Sequence, residues 1–367
     1  MTRNIDNKAP YHQLRDHLTA DGKYRIPWRK EVLQILELRF TPEETEVALR
    51  MPVLGQSRVN LTELAKNTGK SEKRLQVMLD GMSRKGLVLA QTGRSGSEVY
   101  CLWDFLYSLY SPLYGDGYDD DNKRRIVELR EKLWQAGYHF IWFSSRYPFN
   151  RVLPHEEVID NTERVEPWER ASYYVAQVDS ICVVACGCRA STKRCTKPLW
   201  TCLYFDREAE YWVKYRGGRY ISKEECLGLL ASTAKAGLVI TLPNSQETPR
   251  VICNCCRDCC LILRNYTENH NPYALAKSNF TPHFDTEICK VCLTCLNSCP
   301  VTAIGRVPAH QRGKRDRMIV IEEHCIGCGV CATVCPNNAI TLRKQRDVIP
   351  LLTLRETFSQ LAQEALW

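Results

Sequence analysis

Apolar positions in the first third of the chain recur at helical spacing and are punctuated by capping signals. Val32, Ile35 and Leu36 predict one helical face, and Thr41-Pro42-Glu43-Glu44 reads as a capping box with proline at the first helical position, so a new helix starts there. Asn60-Leu61-Thr62-Glu63 repeats the capping logic. Leu61, Leu64 and Ala65 supply its apolar stripe, and Gly69 permits a tight turn before a helix that begins at Ser71. Leu75, Met78, Leu79 and Met82 carry that helix's core face until Gly86 stops it. The period then drops to two: Leu87 to Gln91 and Val99 to Trp103 read as strands, and Gly93-Arg94-Ser95-Gly96-Ser97 has the glycines a hairpin needs. Next come an acidic loop, Asp116 to Asp121, and a helix with Ile126, Leu129 and Leu133 inward. The acidic run supplies favourable charge at that helix's N-terminus. Tyr138 to Phe149 is rich in aromatic residues and reads as a packing segment.

Beyond a charged stretch, Glu156 to Arg170, the apolar run Ile181 to Val184 predicts a buried strand that delivers Cys186 and Cys188. If the strand conformation persists through them, their i, i+2 spacing puts both sulfurs on one face. Cys195 and Cys202 follow in loop-like sequence around Lys197-Pro198. Ser222-Lys223-Glu224-Glu225 caps a helix with Leu227, Leu230 and Ala234 inward, ending at Gly237, and Leu238 to Thr241 reads as a strand. A second cysteine group then appears: Cys253, Cys255, Cys256, Cys259 and Cys260. Cys253, Cys256 and Cys259 show C-x2-C-x2-C spacing. Adjacent thiols point apart, so Cys255 and Cys260 suit a different site, one that could be shared with the first group. These nine cysteines could furnish two four-thiolate centres with one over, one cluster plus spare thiols, or structural zinc; iron-sulfur is the expected chemistry. Cys101, Cys182 and Cys226 lie outside any motif and are expected to pack as small apolar residues.

Between Cys289 and Pro336 the sequence reads CKVCLTCLNSCP, a spacer, then CIGCGVCATVCP. In each half, three cysteines at C-x2-C-x2-C spacing present thiolates from one short loop to a cubane, and a fourth follows three residues later before a proline. The short spacing cannot close the fourth bond on its own cluster, so each outlying cysteine crosses to the other. Cys289, Cys292, Cys295 and Cys335 are assigned to one 4Fe-4S cluster; Cys325, Cys328, Cys331 and Cys299 to the second. This region resembles bacterial-type dicluster ferredoxins. The spacer, Gly305 to Arg317, carries Arg306, Arg312, Lys314, Arg315 and Arg317 against Asp316. It reads either as a solvated loop or as a docking patch for an acidic redox partner. Met318 to Ile321 returns as a strand, and Thr353 to Trp367 fits a short capped helix with Leu354, Phe358 and Leu361 inward.

With 367 residues the chain has room for two or three domains. No run approaches the roughly 18 uncharged apolar residues of a membrane span, and the polar N-terminus, MTRNIDNKAPYHQLRDHL, has no apolar segment to serve as a secretory signal. A cytoplasmic location is expected. Seventeen of the twenty cysteines cluster at metal-ligand spacing and read as ligands rather than disulfides, which implies reduced, anaerobic conditions. The net charge of +8 permits acidic protein or nucleic-acid partners without demanding either. No G-x-G-x-x-G fingerprint, phosphate loop or activated nucleophile is evident, and no catalytic residue is assigned.

The expected fold class is α+β and multidomain. Residues 1–105 hold an N-terminal extension and a winged-helix-like domain, 106–170 a helical connector and linker, and 171–275 a cysteine-rich α/β domain. Residues 276–346 hold the two-cluster ferredoxin domain and 347–367 a docking helix. Helix, turn, helix and hairpin over residues 28 to 105 resemble the winged helix-turn-helix of bacterial regulators. A DNA reader would lay Ser71 to Lys85 in a major groove, with Lys73, Arg74, Arg84 and Lys85 helping and Arg94 on phosphate. So few phosphate contacts favour a docking module instead.

The whole chain resembles large dicluster ferredoxin-like iron-sulfur proteins of anaerobic bacteria. The resemblance rests on Phe40-Thr41-Pro42-Glu43-Glu44, Lys85-Gly86-Leu87, Cys186-Gly187-Cys188-Arg189, Lys197-Pro198, Gly237-Leu238-Val239 and Ile252 to Cys260. It implies a redox protein. Asn254, Arg257 and Asp258 depart from the more continuous cysteine of that family, which leaves the number of middle-domain centres open. Three functions follow: an electron-transfer component, an iron-sulfur redox-sensing regulator, or a reductase with an open middle cluster.

Overall fold

The computed structural model describes residues 9–19, 26–93, 95–138, 145–309 and 315–364. Arg94, Arg312, Lys314, the Phe140 to Phe143 part of the aromatic segment, most of the polar N-terminus and Trp367 lie outside the described residues. The chain forms two compact units, and they divide it differently from the sequence segments above. The first comprises Met1–Trp142, Val184–Thr192 and Arg207–Tyr220; the second comprises Phe143–Val183, Lys193–Asp206 and Ile221–Trp367.

In the first unit the helix Pro42–Ala48 begins with the expected capping box: Thr41 accepts from the Glu44 N–H while the Glu44 carboxylate accepts from the Thr41 N–H. Asn60 caps the helix Leu61–Thr68, which ends at Gly69 in the left-handed region, and Ser71 caps the helix Glu72–Arg84. Leu64, Leu75, Leu79 and Met82 are fully buried with Val32 and Ile35. Strand β1 (Val59–Asn60) and the hairpin β2 (Val88–Thr92) and β3 (Glu98–Leu102) make an antiparallel sheet of order β1-β3-β2. Arg39 staples this unit internally: its guanidinium donates to the Ser108, Lys85 and Gly86 carbonyls. The acidic loop does more than polarise a helix. Asp120 caps the helix Asp121–Gln135, Asp116 pairs with Lys123, and Asp119 accepts from Tyr114.

The strand expected to carry both Cys186 and Cys188 ends earlier. The strand spans only Ile181–Ala185, and Gly187–Thr192 is helical, so the two sulfurs do not share a strand face. Gly187 is pressed against backbone: a Cβ there would lie 2.4 Å from the Tyr110 carbonyl oxygen.

The strands that follow are β4 (Asn150–Leu153), β5 (Ile181–Ala185), β6 (Trp200–Phe205), β7 (Arg219–Ile221), β8 (Val239–Pro243) and β9 (Val251–Cys255). Within the second unit β8 pairs antiparallel with both β4 and β9, and β9 pairs with β6. The helix Lys223–Lys235 has its capping box, but Leu227 is exposed; Cys226, Leu230, Thr233 and Ala234 face inward instead. Burial pushes the Cys182 and Cys226 thiols up to about 12, as packed, neutral groups require. Cys226→Ser would place a hydroxyl in an apolar site. It is expected to cost about 1–3 kcal/mol, read as a lower melting temperature with unchanged iron and sulfide content.

The Glu156 to Arg170 stretch is folded rather than a linker. Glu156 accepts from the Ser172 N–H, and Glu169 accepts from Asn279 and pairs with Lys344. The C-terminal helix Leu354–Gln363 opens with a capping box at Thr353; Thr357 is buried against the Asn244 carbonyl, and Phe358 stacks on Phe149.

Candidate functional site

The region from Phe280 to Lys344 is a structural duplication. Strands β10 (Phe280–Phe284) and β13 (Ile340–Lys344) pair antiparallel, as do β11 (Ile304–Val307) and β12 (Arg317–Val320), so the strand entering the first cysteine loop pairs with the strand leaving the second. Short helices, Thr294–Ser298 and Val330–Thr333, occupy matching places. The match extends to single dihedrals. Positive φ occurs at Val291, Leu293 and Thr302 in the first half and at Gly327, Gly329 and Asn338 in the second, each pair in the same place relative to its cysteines. A tight loop that turns three thiols toward one point needs left-handed residues between them, and the second half meets the need with glycine.

The eight cysteines gather in two sets. Cys289, Cys292 and Cys335 lie within electrostatic reach of Cys295, and Cys328, Cys299 and Cys325 within reach of Cys331, which feels Cys295 of the other set least. Backbone donors point at the outlying sulfurs in the same way in both halves: Ala303 N–H to Cys299 Sγ at 3.2 Å and Ala339 N–H to Cys335 Sγ at 3.3 Å. Burial pushes the Cys295 thiol up to about 11 and raises those of Cys325, Cys328 and Cys331, whereas Thr294, bonded to the exposed Cys292, lowers that thiol. Buried thiols of this kind ionise when a cation takes the proton's place. Four converging sulfurs with N–H donors on them fit a 4Fe-4S cluster. His155 adjoins the second set, donating its N–H to the Cys328 carbonyl, with its ring nitrogen 2.9 Å from the Leu238 carbonyl. Sequence reading passed over His155, which carries no motif; Ala303 and Ala339 could have been found from the repeat.

The middle cysteines separate by face. Cys253 and Cys255, on β9, share a face, and the Cys255 thiol touches Cys253, Cys260 and, at 3.2 Å, Thr241. Cys255 and Cys260 pack in the same buried cluster as Cys295, Cys299, Cys325, Cys328 and Cys331, with Cys253 against it. Cys256 and Cys259 turn the other way and meet Cys195 beside Leu238 and Ala236. The C-x2-C-x2-C register of Cys253, Cys256 and Cys259 therefore does not define one group of neighbours. Asn254 is structural: buried, it donates to the Thr201 carbonyl and accepts from Thr233. Cys202 is buried on β6 in the second unit; Cys186 and Cys188 belong to the first.

Residues 288–339 match the family described as the 4Fe-4S dicluster domain. The chain is 40% identical over 64 residues to the ferredoxin-type protein NapH of Haemophilus influenzae, covering 17% of this chain and 22% of that protein. It is 35% identical over 101 residues to hydrogenase-4 component A of Escherichia coli, covering 26% of this chain and 44% of that protein. The chain thus spans less than half the length of these curated relatives. Its C-terminal region is an iron-sulfur, 4Fe-4S ferredoxin-type domain of the electron-transport kind. No helix among the described residues is long and apolar enough to cross a membrane.

Proposed function

We propose that this chain is an electron-transfer component of an oxidoreductase system. It carries two 4Fe-4S clusters, one on Cys289, Cys292, Cys295 and Cys335 and one on Cys325, Cys328, Cys331 and Cys299, with a further thiolate centre in the middle region. The observation that carries the reading is the gathering of eight cysteines within a region that matches the dicluster family. Similarity to a ferredoxin-type protein and to a hydrogenase component supports a redox protein as partner. The chain works in the cytoplasm, and the partner docks at the Arg306 to Arg317 insertion. There Arg306 is engaged by Asp316 while Arg315 and Arg317 are exposed.

The winged-helix-like region serves as a docking module in this reading. Arg74 pairs with Glu43 at 2.7 Å and Lys85 with Glu44 at 2.8 Å. The groove between the helices Leu61–Thr68 and Glu72–Arg84 and strand β3 is lined by Glu63, Glu72 and Glu98 against Lys66. Such a surface repels phosphate. Anaerobic reconstitution of the full chain tests the carrier role: about eight iron and eight sulfide per chain in the ferredoxin region, EPR of two reduced clusters, and reoxidation by an acceptor are expected. Enrichment of one duplex from a random pool by the holoprotein would overturn it in favour of a regulator.

A further inference from the structure

The thiols of Cys195, Cys256 and Cys259 are crowded. Cys195 Sγ lies 3.7 Å from Cys256 Sγ and 3.7 Å from Cys259 Sγ, and all three fall within 4.8 Å of one another. Among the described residues this is the one set of three candidate metal ligands drawn so close; the ferredoxin sets are spread more widely. Thiolates that share a single tetrahedral ion, with metal–sulfur bonds of about 2.3 Å, stand about 3.8 Å apart, the edge of the tetrahedron. On a cubane each thiolate ends on a different iron and points outward from its corner, so the sulfurs stand further apart.

We propose that Cys195, Cys256 and Cys259 form a single-ion site for a thiophilic divalent cation of the zinc kind, separate from every iron-sulfur cluster. The proposal specifies the further thiolate centre and rests on the reading of the middle cysteines as ligands. The surroundings suit it. Cys256-Arg257-Asp258-Cys259 forms a turn directly after β9, closed by the Cys260 N–H on the Cys256 carbonyl at 3.2 Å, so a two-residue gap brings both thiols round one point. Cys256 and Cys259 are buried, walled by Leu238 and Ala236. The Lys197 backbone N–H points at the Cys195 sulfur and the Arg194 N–H at that of Cys259, donors that orient ligands from outside the coordination sphere. The Lys197 ammonium is bonded to the Ala236 carbonyl, placing a positive charge beside a site whose three thiolates outweigh a divalent ion. A zinc ion has no accessible second oxidation state, so it would pin the Arg194 to Lys197 loop to the β9 turn and carry no electrons.

The test is metal and sulfide analysis of the anaerobically purified full chain, with zinc-edge X-ray absorption. One zinc per chain with three or more sulfur neighbours is expected. Cys195→Ser and Cys259→Ser should each lose that zinc and leave iron, sulfide and the ferredoxin EPR signals unchanged, with Cys226→Ser as a control that loses nothing. Loss of one iron without sulfide would uphold the single-ion site with iron as its occupant. A wild-type chain holding neither zinc nor sulfide-free iron overturns the proposal, and so does a loss of iron and sulfide together in either variant. Should the variants precipitate, the wild-type analysis decides alone. Absence of the ferredoxin clusters from a chain that holds zinc would defeat the electron-carrier reading and leave this site standing.

Discussion

Gly327→Ala is expected to abolish the second cysteine loop. At φ +70° an alanine Cβ would lie 2.2 Å from both the Phe280 carbonyl oxygen and the Ser278 hydroxyl, and the Ser278 hydroxyl itself donates to the Gly327 carbonyl. The contact is with backbone at the start of β10, which is fixed by its pairing with β13, so no rotamer relieves it. A clash of this kind in a left-handed position costs about 4 kcal/mol or more. Iron retention after gel filtration and the thermal melt should both fall sharply. Val291 sits at the matching place in the first loop with φ 51°. Val291→Gly should therefore be tolerated, because relief of the left-handed backbone, about 1 kcal/mol, offsets the loss of its packing against the neighbouring core. Equal damage from both substitutions would show that the loops do not repeat one another.

Cys299→Ala should remove the cluster proposed on Cys325, Cys328 and Cys331 and spare the other proposed cluster. Cys299 follows the first loop in sequence, yet its thiol lies among the second loop's, within electrostatic reach of Cys325, Cys328 and Cys331. EPR of the reduced variant should show one cluster signal, with iron and sulfide each reduced by about four. Loss of the neighbouring cluster alone would show that each loop keeps its own fourth ligand.

The local signals in the sequence were strong where the physics is local. Capping at Thr41, Asn60, Ser71, Ser222 and Thr353 depends on a few adjacent side chains, and all five helices start there. The dicluster character of the region was similarly legible, because closely spaced cysteines repeated in two halves are a local signal, and residues 288–339 match the 4Fe-4S dicluster domain. Distant partners were not legible. Nothing near Cys195 announces Cys256 and Cys259, which come to it through the β6–β9–β8 pairing. Leu227 fits the helical stripe as well as Cys226 does, and only the neighbouring strands decide which faces inward. The strand ended at Ala185, short of Cys186 and Cys188, beside a glycine, Gly187, that meets backbone at Tyr110, a contact from a remote segment.

The exchanged strands also set an order of events during synthesis. Phe280 pairs with Lys344 and Phe284 with Ile340, so the strand that leads into the first cysteine loop emerges from the ribosome long before the strand that must lie beside it. The first loop is thus left without its sheet neighbour until the second cysteine loop and β13 have also been made. Iron delivered before then would find half of a scaffold, so stable loading of the first loop waits on completion of the second.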